Sequence, residues 1–122
     1  MSLNLKMTAT TPEVKLDLDK GLLELKGVSN PENGPDFYEP IISALNTPDF
    51  KTKSLVVEMS LVHFNTSSSK CLYDMFSRLK TVSNEGVELT INWNYDSNDE
   101  DMLESGQDFS ELLDMHFNYK EY

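Results

Sequence analysis

Along the chain, hydrophobic positions follow two rhythms, a period of two and a period near 3.6. "VKLDLD" (Val14 to Asp19) alternates cleanly, and "LLELKGV" follows after a Lys20-Gly21 turn, so the pair predicts a β-hairpin. "SNPENGPD" is dense in turn formers and predicts a loop. Pro35 or Asp36 then opens a short helix that sends Phe37, Tyr38, Ile41, Ile42 and Leu45 inward; Pro40 must lie in its first turns or kink it. "NTPDFKTKS" ends that helix. In "SLVVEMSLVHF", Leu55, Val57, Met59 and Leu61 share one face and Val56, Glu58 and Ser60 the other. Five small polar residues, Asn65 to Ser69, interrupt, after which Leu72, Met75, Phe76, Leu79 and Val82 recur at helical spacing up to a stop at Asn84-Glu85-Gly86. "VELTINWNY" alternates again. Ser97-Asn98-Asp99-Glu100 has the pattern of a capping box opening a third helix, with Met102, Leu103, Phe109, Leu112 and Leu113 inward, and Met115, Phe117 and Tyr119 suggest a last short strand.

The expected order is therefore ββαβαβαβ, an α/β fold with a mixed sheet of about five strands. Strands buried on both faces would be continuously apolar. Most of these alternate with charged or amide residues, so one sheet face should be open to water and the three helices should pack on the other, as a two-layer sandwich. Residues 1–12 show no clear period and are expected to form a flexible N-terminus ahead of a single domain at 13–122.

Composition narrows the function. A chain of 122 residues builds one domain with a real core. Its net charge of −11 comes from 21 acidic and 10 basic side chains. Asp96, Asp99, Glu100, Asp101, Glu104, Asp108, Glu111 and Asp114 crowd one stretch, and no Lys or Arg lies between Lys80 and Lys120. Such a surface repels phosphate backbones and anionic headgroups, so neither nucleic acid nor membrane is an expected partner. The acidic stretch is either a solvated face or a docking face for a basic partner. No apolar run approaches the roughly 20 residues of a membrane span. The start lacks a secretory signal, and the single Cys71 suits a reducing compartment, so the cytoplasm is the expected location.

Few residues offer chemistry. Counted from Asp96, a calcium loop would need Gly at its sixth position and Glu at its twelfth, where Asp101 and Gln107 stand. His63, His116 and Cys71 do not make zinc spacing. His63 beside Thr66, Ser67 or Ser68 lacks an evident orienting carboxylate. Neither a cofactor nor a metal is expected, and a small enzyme or metal-binding domain is the weaker alternative. The hydroxyl cluster remains. Thr66 or Ser67 is expected to cap the second helix, worth about 1 kcal/mol. The same place, with unpaired N–H groups and the positive end of the helix dipole, would accommodate a phosphate.

"PENG" (Pro31 to Gly34), "FNTSSSKCLYDMFSRL" (Phe64 to Leu79), "GVELTINWNY" (Gly86 to Tyr95) followed by Asp96, and "DEDMLESGQDF" (Asp99 to Phe109) resemble the SiaC family of bacterial regulatory phosphoproteins over about Val14 to Phe117. The resemblance implies a STAS-like fold, similar to the anti-sigma-factor antagonists, and a non-enzymatic partner switch. In the family, the threonine of the NTSS motif is phosphorylated by a serine/threonine kinase and released by a PP2C-type phosphatase. The unmodified form activates a diguanylate cyclase, with cyclic di-GMP favouring aggregation or biofilm. Carried onto this chain, the acceptor is Thr66, with Asn65, Ser67, Ser68 and Lys70 around it. Pro31, Glu32 and Asn33 form a second block, expected in a loop beside it. Phe64 replaces the motif's leucine, and "NYKEY" departs from the pattern. The effector is the least specified inheritance: an anti-sigma-factor-antagonist-like regulator of another effector would carry the same motif.

Overall fold

The computed structural model describes residues 2–46 and 52–122. The elements run β1 (Ser2–Leu5), β2 (Glu13–Asp17), β3 (Leu22–Ser29), α1 (Gly34–Leu45), β4 (Ser54–Phe64), α2 (Thr66–Asn84), β5 (Glu88–Tyr95), α3 (Glu100–Leu113) and β6 (Asn118–Glu121). The strands form one six-stranded sheet in chain order, with β1–β2 and β2–β3 antiparallel and β3–β4, β4–β5 and β5–β6 parallel. The α/β class, the mixed sheet and the three helices agree with the periodicity.

The strand count is one higher than expected. Ser2–Leu5, within the segment expected to be a flexible N-terminus, pairs antiparallel with β2 as an added edge strand. Only Leu3 and Leu5 pack against the core there, too few positions to establish a period. The β2–β3 turn forms where expected: Asp17 Oδ1 accepts from the N–H groups of Asp19 and Lys20, and Gly21 takes the left-handed conformation its position requires (φ 72°). The linker expected at "NTPDFKTKS" falls mostly on residues 47–51, outside the described residues.

Each helix spans one parallel crossover and buries its stripe on the same sheet face. Leu55, Val57, Met59 and Leu61 of β4 are buried there with Tyr38, Ile41 and Leu45 of α1, Leu72, Met75, Phe76 and Leu79 of α2, and Met102, Phe109 and Leu113 of α3. The opposite face stays open, with Val62 59% exposed. Leu112, expected inward, is also exposed: Met102, Gly106, Phe109 and Leu113 fall one helical turn apart on the buried stripe, and Leu112 lies off it. The α3 cap is Asp99, which accepts from the Met102 N–H, and not the Ser97 of the capping-box pattern. The helix thus begins where a carboxylate can face its positive end.

Helix α2 lies between its neighbours and completes both of them. Neither α1 nor α3 carries a basic residue in its last turn. Arg78 Nε of α2 donates to the Leu45 carbonyl at the end of α1 (3.2 Å), and Lys80 Nζ donates to the Leu113 carbonyl at the end of α3 (2.7 Å). Both cations therefore meet the negative ends of helix dipoles and orphan carbonyls. An aromatic cluster packs below: Trp93 stacks near Phe117 (6.0 Å, 21°) and meets Phe64 edge-on (6.5 Å, 87°).

Gly106 marks the tightest contact, since a Cβ there would lie 2.6 Å from the indole of Trp93. That ring is fully buried and held by its N–H bond to the Met102 carbonyl (2.9 Å). Gly106→Ala gains at most about 1 kcal/mol of helix propensity. The overlap costs about 1–3 kcal/mol. Urea denaturation of Gly106→Ala should show a net loss of about 1 kcal/mol or more, whereas a stabilised variant would show that the ring yields freely.

Candidate functional site

The hydroxyl run divides into an inward and an outward part, and the division follows from how α2 begins. Asn65 is the N-cap, with extended backbone (φ −86°, ψ 177°), and its Oδ1 accepts from the Ser68 N–H at 2.8 Å. This corrects the expectation that Thr66 or Ser67 caps the helix. Asn caps as well as Ser or Thr does, and here its backbone N–H is already held by the Ser29 carbonyl (3.0 Å), so the chain turns one residue earlier. Its Nδ2 in turn donates to Asn30 Oδ1 (2.8 Å), which ties the cap to the end of β3.

Ser68 points into the protein and is fully buried. Its Oγ donates to the Ser29 carbonyl (3.1 Å) and lies 2.8 Å from Ser29 Oγ, which lies 2.6 Å from the Tyr38 hydroxyl. One assignment uses every proton once: Tyr38 donates to Ser29, Ser29 to Ser68, and Ser68 to the carbonyl. Burial pushes the Tyr38 phenol up to about 12, its Ser29 hydrogen bond opposing, so it keeps its proton for this chain. Burial, and then the Asp74 carboxylate, also pushes the Cys71 thiol up, which keeps it a neutral packing group.

Ser67 is half-buried and faces Gly34: a Cβ at Gly34 would come within 2.3 Å of Ser67 Oγ. The "PENG" block therefore abuts the hydroxyl run. Pro31 is buried, Glu32 is exposed, and the exposed Asn33 is the N-cap of α1, its Oδ1 accepting from the Asp36 N–H (3.1 Å). Thr66, at the first position of α2, is exposed, as is Lys70 one turn later. The first turn of α2 holds no acidic residue. A group attached to Thr66 thus sits at the positive helix end, with an exposed lysine one turn on along the same helix. Exposed His63 makes no hydrogen bond to these hydroxyls among the described residues.

Beside this helix start lies an apolar surface. Tyr73 of α2 and Leu112 of α3 are exposed (39% and 69%) and border a recess of about 300 Å³ with Ser69, Lys70, Asp74 and Phe109. The residues that pattern reasoning missed are Ser29 and Asn30; Tyr38 is buried as expected, and only its hydroxyl bond to Ser29 was not foreseen. Ser29 and Asn30 looked like turn formers, and the available signal was that Ser29 takes an inward position of β3.

The model of the SiaC family regulatory phosphoproteins matches residues 5–122. An uncharacterized protein of Pseudomonas aeruginosa (strain UCBPP-PA14) is 28% identical over 111 residues, covering 89% of this chain and 87% of its own. Among solved structures, apo-SiaC of Pseudomonas aeruginosa is similar with a TM-score of 0.88 at 25% identity over 98% of each chain. A structure of the diguanylate cyclase SiaD in complex with its activator SiaC, from the same organism, has a chain similar at a TM-score of 0.88 and 26% identity, over 98% of this chain and 99% of that one.

The division of labour along the run is measurable. Asn65→Ala removes the cap and the Asn30 bond and should lose about 1–2 kcal/mol in chemical denaturation. Thr66→Ala should stay within about 0.5 kcal/mol of the parent, as an exposed substitution does. An equal loss at Thr66→Ala would show that its hydroxyl also holds the helix start.

Proposed function

Since the chain belongs to the SiaC family of regulatory phosphoproteins, we propose that it is a non-enzymatic switch whose partner choice is set by phosphorylation of Thr66. The observation that carries this reading is the exposure of Thr66 at the start of a helix whose cap and interior hydroxyl chain are supplied by other residues. A phosphate on Thr66 adds about −1.5 to −2 charges at pH 7. The helix end tolerates that charge, and the fold loses no bond to it. A protein surface resting on the unmodified threonine would instead have to bury an uncompensated dianion.

The effector on this reading is a diguanylate cyclase, bound and activated by the unmodified form, as the solved SiaC is the activator of SiaD. Its docking site would extend from Thr66 and Ser67 over the recess of Lys70, Tyr73 and Leu112. Asp74 lines this recess and Asp108 of α3 the one adjoining it, and both favour a basic rim on the partner. Asn65 and Ser68 shape the helix start, and Pro31, Glu32 and Asn33 buttress it through the contact of Gly34 with Ser67. A serine/threonine kinase would add the phosphate and a PP2C-type phosphatase remove it, both acting on the exposed hydroxyl. The cytoplasm is where such partners meet. Regulation of another effector, as by an anti-sigma-factor antagonist, is the second reading; capture with Thr66→Ala as bait separates the two by whether a cyclase or a sigma-factor regulator is retained.

Calorimetric titration of the cyclase with Thr66→Ala, Thr66→Asp and Thr66→Glu tests the electrostatic step. Thr66→Ala should bind like the parent, and both acidic variants should weaken binding by at least about tenfold, equivalent to 1.4 kcal/mol. Their circular dichroism should match the parent. Equal affinity across the series would exclude a charge switch at this position, and mass spectrometry of protein from its native cells should find the phosphate on Thr66.

A further inference from the structure

The open sheet face carries a groove that has no part in the Thr66 switch. It encloses about 600 Å³ between the segment after β1 and the last residues of the chain, within the range of small-molecule sites. Register places Lys26 opposite Ser60, and Asn94 opposite Lys120. The Asn94 amide donates to Ser60 Oγ (3.0 Å) and joins the two pairs into one row across four strands. Lys26 and Lys120 thus stand about 14 Å apart, three strand spacings, with an amide and a hydroxyl between them; past Lys26 the row continues to Glu13 of β2, which pairs with Lys15 (3.0 Å). Above the row lie Met7, Val28, Val62 and Tyr122, so the wall beside the lysines is apolar.

The backbone is shaped to open this space. β3 is bulged between Gly27 and Val28, and Gly27 has a φ of 117°. A Cβ there would come within 3.0 Å of the Met7 side chain, so the glycine admits the wall residue. Bulges of this kind re-aim side chains beside sites.

Charge decides the occupant. In a chain of net charge −11, this groove holds two lysines and one carboxylate, Glu121. Neither lysine has an ion-pair partner among the described residues. We propose that the groove binds an anionic amphiphile, a medium-chain carboxylate whose acyl chain covers Met7, Val28 and Val62 while its head group reaches Lys26 or Lys120. A neutral apolar ligand would leave the lysines unused, and a cation would meet them as like charges. The groove wall also leads toward the helix start: the Asn30 N–H donates to the Thr10 carbonyl (2.7 Å), and Asn30 Oδ1 accepts from Asn65.

The test is calorimetric titration of the full chain with decanoate, kept below micelle formation, and with decylammonium as the opposite charge. Decanoate should bind saturably at one site, and decylammonium should not bind. Lys26→Gln with Lys120→Gln should weaken decanoate by at least about fivefold. Val62→Asp should abolish binding while the melting temperature holds, since Val62 is 59% exposed. Absence of saturable binding, equal affinity for the two amphiphiles, insensitivity to the lysine pair or to Val62→Asp, or binding only to anionic lipid vesicles would overturn the proposal. None of these outcomes depends on the reading of Thr66.

Discussion

Three hydroxyl groups in a dry interior, those of Tyr38, Ser29 and Ser68, hold the start of α2 to the end of β3 and to α1. An unpaired polar atom buried there would cost about 1–3 kcal/mol. The chain therefore specifies one position of the helix start: a shift by one residue would carry Ser68 off the Ser29 carbonyl and leave the chain of hydroxyls unsatisfied. Asn65 adds a second tie from the outside, between the Ser68 N–H and Asn30. At its other end α2 is anchored through Arg78 and Lys80 to the carbonyl ends of both neighbouring helices. The helix is held at both ends by groups that do not include Thr66.

That separation gives the proposed switch its physical sense. A modification site within the hydroxyl chain would exchange folding free energy for signalling, because its phosphate would have to be buried. Thr66 stands two residues before Ser68, on solvent, at the end of a helix that favours anions. The charge then acts on the surface that a partner would cover, next to the exposed Tyr73 and Leu112. The buried hydroxyls serve one another, and burial pushes the Cys71 thiol up.

Much of the fold was legible because one sheet face is wet. Alternation in β2, β4 and β5 exposed the period of two, and the helices kept clear stripes. β1 was not legible, since four residues carry only two inward leucines. The cap of α2 was misplaced because four neighbouring residues can all cap a helix, and the choice was made by Ser29, whose carbonyl holds the Asn65 N–H across the sheet. Ser29 and Asn30 themselves were hidden by their turn-forming chemistry. The contacts of Arg78 and Lys80, and the row from Lys26 to Lys120, depend on packing and register between distant segments, which no local pattern encodes.

The fold does not lean on the Thr66 hydroxyl, because the cap and the buried hydroxyl chain are supplied by other residues. Urea unfolding of protein stoichiometrically phosphorylated on Thr66, set against the unmodified protein, tests it most directly. The phosphorylated protein should be equally stable or gain up to about 1 kcal/mol from the anion at the helix end. A loss larger than about 1 kcal/mol would show that the phosphate disrupts the helix start, and would contradict that prediction.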